Sequence, residues 1–228
     1  MFGNLFPQNK ARPPLRTFYR PYRNPGINQF YNLLFCDDFG LFAGGEVAGA
    51  LAAVLSDAPD RETLETIGND LDAESRLRVL AFRRLRAMKV SVPRKRLLGA
   101  IIEWPQKDGL DVLAAFPDGR LRYINHNEKL AILESTPPGL AEKTEELLRA
   151  SQLIVNSYGP SDMPRLPPPT GDLIRMNFLV SDGHYFGQGS YSALMADRFA
   201  PPVINAATQL LNMLLDAAVE NVKNRVLH

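Results

Sequence analysis

At 228 residues, 45% hydrophobic and 22% charged, the chain can bury one sizeable core or two small ones and is expected to fold alone. A formal charge of +1 argues against a surface that is wholly a nucleic-acid or membrane footprint, while leaving room for local patches. The single cysteine, Cys36, excludes an intrachain disulfide and an all-cysteine metal site, and with no apolar h-region and no run near the ~20 residues of a membrane span, a cytoplasmic protein without membrane attachment is expected.

Residues 1–28 carry Lys10, Arg12, Arg16, Arg20 and Arg23, no acidic residue, and prolines at 7, 13, 14, 21 and 25. Proline fixes φ and removes a donor, so this stretch is expected to be an extended arm rather than a domain, with 29–228 forming a single α+β domain. Its aromatics, Phe18, Tyr19 and Tyr22, alternate with the charges. They suit either packing on the body or stacking on nucleic-acid bases while the arginines neutralise phosphates. The aromatic run Phe30 to Phe42 must be buried somewhere. Asp37 and Asp38 follow its apolar part, where adjacent carboxylates either hold a hard cation such as magnesium or cap a turn.

Gly44 to Leu55, rich in small residues, suits a close-packed helix. Ser56 to Glu74 then holds Asp57, Asp60, Glu62, Glu65, Asp70, Asp72 and Glu74 against Arg61 alone. Asp60 is the expected cap of a short helix ended by Gly68 or Asn69. A second helix is expected from Asp72 to Met88, with its apolar stripe at Leu77, Leu80, Ala81, Leu85 and Met88. Arg76 to Arg96 contains nine basic residues and no acid, so the two blocks are expected to cancel locally. A partner-binding basic face is the other reading, with Arg83, Arg84 and Arg86 as its candidates. Arg84 falls inside the apolar stripe, where it is expected to snorkel or to pair with an acidic residue.

Leu97 to Ser135 is the organising stretch. Three or four short strands are expected, at Leu97–Trp104, Asp111–Phe116, Leu121–Asn125 and Lys129–Glu134, joined as an antiparallel meander by Lys107-Asp108-Gly109 and Pro117-Asp118-Gly119-Arg120. Thr136 is expected to cap a helix that Pro137 and Pro138 open, with a stripe from Leu140 to Tyr158. Arg165-Leu166-Pro167-Pro168-Pro169 reads as a proline spacer, or less simply as a polyproline ligand. Leu173 to Val180 and Tyr185 to Gly189 form a second hairpin across Ser181-Asp182-Gly183-His184, and Pro201 to Leu227 is the longest helix. The fold class is therefore α+β, an antiparallel sheet of about five to six strands packed by long helices, with the Pro/Arg-rich arm at its start. This element order is similar to that of small bacterial secretion-chaperone and roadblock-like folds, a likeness of order and not of motif.

His126 and His184, both placed in or beside turns, are the only internal histidines. Were their turns adjacent, the pair with Asp37, Asp38 or Asp182 would suit a metal-dependent, hydrolase-like enzyme. No nucleophile elbow supports covalent catalysis, Gly187-Gln188-Gly189-Ser190 lacks the strand-to-helix context of a phosphate loop, and no cofactor is implied. The strands Leu98–Ile102, Val112–Phe116 and Leu173–Val180 are too continuously apolar for a sheet with one wet face, so both faces must be covered. The leading expectation is a non-enzymatic protein-binding module, of chaperone, adaptor or immunity type, acting through an apolar surface as a monomer or weak homodimer. The alternatives are the metal enzyme and a nucleic-acid binder using the arm and the Arg76–Arg96 face.

Overall fold

A computed structural model describes residues 18–44 and 47–226. After an extended lead-in, α1 runs Pro25–Leu33, opened by Asn24, whose side chain accepts from the Gly26 N–H, and by proline where a missing donor costs nothing. The chain expected to stay extended to Asn28 thus turns helical at Pro25. A 3-10 turn, Phe39–Phe42, precedes α2 (Gly49–Leu55), α3 (Arg61–Asn69) and α4 (Ser75–Ala87). Asp60 caps α3 as expected, its carboxylate accepting from the Thr63 backbone N–H at 2.7 Å.

The meander follows as β1 (Leu97–Gln106), β2 (Gly109–Ala115), β3 (Leu121–Ile124) and β4 (Leu130–Leu133), then α5 (Pro138–Ser157), β5 (Leu173–Val180), β6 (Gly183–Ser190), α6 (Tyr191–Met195) and α7 (Ala200–Val226). All pairings are antiparallel, in the order β4-β3-β2-β1-β5-β6, so the expected α+β class with an antiparallel sheet is the observed one. Helix α5 crosses the sheet to bring β5 against β1, which makes β1 and β5 central and β4 an edge. Gly119 has φ +81°, the conformation its turn demands of a residue without Cβ. Thr136 does not cap α5: helix geometry begins after Pro137, and the Thr136 hydroxyl donates to the Gly119 carbonyl, tying the helix start to the β2–β3 turn.

Both sheet faces are covered except at the β4 edge, where Leu130 and Ile132 are exposed. One carries Ala100, Ile102, Leu113, Met176 and Phe178 beneath α5 and α7. The other carries Leu98, Ile101, Val112, Ala114 and Phe116 beneath α1, α3 and α4. Residues of the expected arm belong to this second core. Tyr22 is buried, its hydroxyl donating to the Leu110 carbonyl at 2.9 Å, and the Tyr19 hydroxyl donates to the Arg165 carbonyl at 2.8 Å. Of the arm's two roles, packing on the body is what Tyr19 and Tyr22 do; residues 1–17 lie outside the described residues.

Candidate functional site

The second face is polar where β1, β5 and β6 meet, because alternate residues of each strand fall on it: Glu103, then Arg175 and Asn177, then His184, Phe186 and Gln188. Glu103 is fully buried and accepts from the Tyr31 hydroxyl at 2.6 Å and from the Asn177 amide at 2.8 Å, with an Arg175 guanidinium nitrogen at 3.9 Å. Burial lifts its carboxyl above the usual carboxylate range, against the opposing pull of Arg175 and the two donors. Asn177 spends its amide N–H on Glu103, so its oxygen is the acceptor for His184 Nε2 at 3.2 Å. The network thereby selects the Nε2–H tautomer and leaves Nδ1 of His184 as the lone-pair nitrogen.

His184 lies in β6 rather than in a solvated turn, half-buried and stacked on Phe186 with ring centroids 5.8 Å apart. Desolvation, followed by the charges of Arg165, Arg175 and Arg83, pulls its pKa down to about 3. It is therefore neutral throughout the physiological range. His126 sits elsewhere: its backbone N–H donates to Asp111 at 2.7 Å and its Nδ1 stands 3.1 Å from the same carboxylate. Asp111 pairs with Trp104 and His184 with Leu179, itself opposite Gly99, which separates the two histidines by on the order of 20 Å. The two turns are not adjacent, and the histidines share no site.

His184 does share a groove with the aspartate pair and the arginine trio. The segment Phe35–Gly40, the face of α4 bearing Val79, Arg83, Arg84 and Arg86, the connector Pro160–Arg165 and the β5–β6 turn enclose a groove of about 670 Å3. Its carboxylates are largely occupied. Asp37 accepts from Arg165 Nε at 2.6 Å, Asp38 caps the 3-10 turn by accepting from the Gly40 N–H at 2.8 Å, and Asp182 accepts from the Tyr185 hydroxyl at 3.2 Å. Of the two expectations for Asp37 and Asp38, the turn cap describes Asp38, while Asp37 is held in a buried ion pair. Arg165 is stacked over Phe35 at 4.1 Å and Tyr19 at 5.0 Å and donates to Asn32, so the Arg-Leu-Pro-Pro-Pro stretch straps the connector to the body. Arg175 completes the strap by donating to the Pro167 carbonyl at 2.6 Å.

The arginines differ from one another. Arg84 neither snorkels nor pairs with an acid: it lies 4.2 Å over the Phe39 ring and donates to the Val54 carbonyl at 2.9 Å, closing the C-terminus of α2. Arg86 donates to the Ser181 carbonyl, and burial, aided by the charge of Arg83, lowers its pKa to about 10. Among the described residues Arg83 makes only a cation–π approach, 5.7 Å from the Phe39 ring. Among the described residues none of the three has an acidic side chain within ion-pair distance. The expected local cancellation is therefore confined to pairs such as Arg61–Glu65 and Arg76–Glu74.

Cys36, on the same wall, is buried with φ +52°, and burial pushes its thiol up to about 12, which makes it a poor nucleophile. Among the described residues no three of His, Cys, Asp and Glu cluster closely enough to hold a metal ion. The described helices also include none long and apolar enough to cross a membrane. The Tyr31–Glu103–Asn177–His184 network and the Arg165 clamp were not foreseen, because each joins residues far apart in the chain; the one available signal was ionisable residues, Glu103 and Arg175, inside otherwise apolar strands.

Fold and groove define a class in structural terms only: an α+β protein whose single antiparallel sheet is covered on both faces and carries a mixed-charge groove at one end. The chain matches no protein-family model, and no curated protein or solved structure is significantly similar to it.

Proposed function

We propose that the protein is a non-enzymatic binding module of the chaperone, adaptor or immunity type, and that it holds a segment of a partner protein in the groove between α4, the connector and the β5–β6 turn. One observation carries this reading. In the groove Asp37 is held by Arg165 and His184 Nε2 by Asn177, which leaves the exposed Asp162 as the one carboxylate without an internal bond among the described residues, while apolar side chains and arginines that have no acidic partner among the described residues line the rest. Such a combination of apolar wall and polar rim suits recognition. The buried side chains of Val79 and Leu179 form part of the apolar lining, with the half-buried Phe39 and Met163 beside them.

The test is a charge placed in that lining. Met163→Asp, at a half-buried loop position, is expected to leave the circular dichroism spectrum and unfolding midpoint near wild type and to abolish co-purification of a protein partner. His126→Ala, outside the groove, is expected to leave it unchanged. Partner capture undiminished by Met163→Asp would overturn the assignment of the groove.

A further inference from the structure

Resting on the groove reading, we propose that the segment held there is an acidic peptide, one of whose carboxylates bridges Arg83 and Arg86. These two residues are three apart on α4 and so project from the same side of the helix. Arg84 is spent on Phe39 and the end of α2, which leaves Arg83 and Arg86 as the recognising pair. Their charges oppose one another in the free protein: after burial, the charge of Arg83 is the next cause that depresses Arg86, and the smaller pull of Asp182 acts against it. A carboxylate between the two relieves that repulsion and receives charge-assisted hydrogen bonds from a wall that is partly buried.

Donor and acceptor supply points the same way. Asp37, Asp38 and Asp182 accept hydrogen bonds from within the protein, and Asp37 and Asp182 face Arg165 and Arg94 at 2.6 and 4.0 Å. The guanidiniums of Arg83 and Arg86 have five N–H donors each, and among the described residues one of these is engaged, Arg86 Nη1 on the Ser181 carbonyl. Set against the single open carboxylate of the exposed Asp162, the two guanidiniums leave the groove with surplus donors, and its complement is an acceptor-rich, anionic segment. The aspartates around the rim disfavour a continuous polyphosphate chain, whereas a peptide can place one carboxylate on the arginines and apolar side chains beside Met163 and Phe39.

The experiment is selection from a phage-displayed library of random dodecapeptides on the full chain, followed by fluorescence anisotropy with the enriched peptides made synthetically. Enriched sequences are expected to carry Asp or Glu next to an apolar residue. Replacing their acids by Asn or Gln is expected to weaken binding at least tenfold, as is Arg83→Glu, which alters a half-buried side chain that makes no hydrogen bond to the described residues. Arg86→Lys, retaining charge but losing the fork, is expected to weaken it several-fold. Selection of peptides without acids, acid-to-amide replacement without effect, or no enrichment at all overturns the inference. Displacement of the peptide by oligo-dT at lower concentration than by the peptide itself overturns it in favour of a nucleic acid. If neutral peptides are selected and Met163→Asp abolishes their binding, charge recognition fails while the groove stands; if enriched peptides bind Met163→Asp undiminished, the groove itself fails.

Discussion

A single histidine gives the protein an acid sensitivity whose sign is determined by burial. His184 has an ordinary pKa of 6.5 in the unfolded chain and one near 3 in the folded protein. Between those values the unfolded state binds the extra proton, so stability falls as pH is lowered through this window, with a slope approaching about 1.4 kcal/mol per pH unit. Because the buried Glu103, whose carboxyl is raised, contributes with the opposite sign, the His184 slope is expected in the difference between wild type and His184→Gln in urea unfolding at pH 7, 5.5 and 4.5. A histidine whose imidazolium were stabilised would give the opposite slope. Gly119 is a second residue whose local conformation decides the outcome. A Cβ there has its nearest neighbour, Thr136, at 3.9 Å, so space is available, but φ +81° strains any β-branched side chain. Gly119→Val is expected to lower stability by ~1–2 kcal/mol in denaturant titration.

At the scale of elements, α3 and α4 meet over a glycine used for its lack of bulk. A Cβ on Gly68 would stand 2.9 Å from Cε1 of Phe82, a fully buried ring. Replacing glycine by alanine inside a helix gains ~1 kcal/mol of propensity, while overpacking a core costs ~1–3 kcal/mol, so the packing term wins. Gly68→Ala is expected to be destabilising, and Phe82→Leu in the same background to recover part of the loss, as read by the unfolding midpoint. The periodicity of Leu77, Leu80, Ala81 and Leu85 and the cap at Asp60 are local properties, and both helices form around them, although α4 begins at Ser75 rather than Asp72 and Met88, the last residue of the expected stripe, is an exposed C-cap. Thr136 shows where local signals stop: its hydroxyl donates to the Gly119 carbonyl of the β2–β3 turn, a tertiary contact, while α5 takes Pro137 rather than Thr136 as its N-cap residue.

Across the whole molecule, protection should follow position in the sheet rather than sequence order. Strands β1 and β5 have neighbours on both sides and cores on both faces, whereas β4 is an edge with Leu130 and Ile132 exposed. Hydrogen exchange is expected to be slowest in Leu98–Ile102 and Met176–Val180 and much faster in Leu130–Leu133. Equal protection in β4 would mean that its open edge is covered, for instance by a second copy of the chain. The groove is also a property at this scale, since it is walled by Phe35–Gly40, α4, the connector and the β5–β6 turn, four segments spread over about 150 residues of chain.

The amino-acid sequence by itself determined the α+β class, the antiparallel meander, the second hairpin and the helices from α2 to α5 and α7, but not α1, whose start at Pro25 was hidden in a Pro/Arg-rich stretch, nor the short α6. Turn chemistry at Pro117–Arg120 and hydrophobic period act through near neighbours, and an apolar strand such as Leu173–Val180 declares its own burial. Only the tertiary structure decided which polar residues meet. It separated His126 from His184, turned Asp37 into the partner of Arg165 across 128 residues of sequence, and drew His184, through Asn177, toward a carboxylate on β1. Side-chain type and spacing cannot report such pairings, because the low-dielectric interior rewards an opposite charge or matching donor from whatever segment the topology delivers.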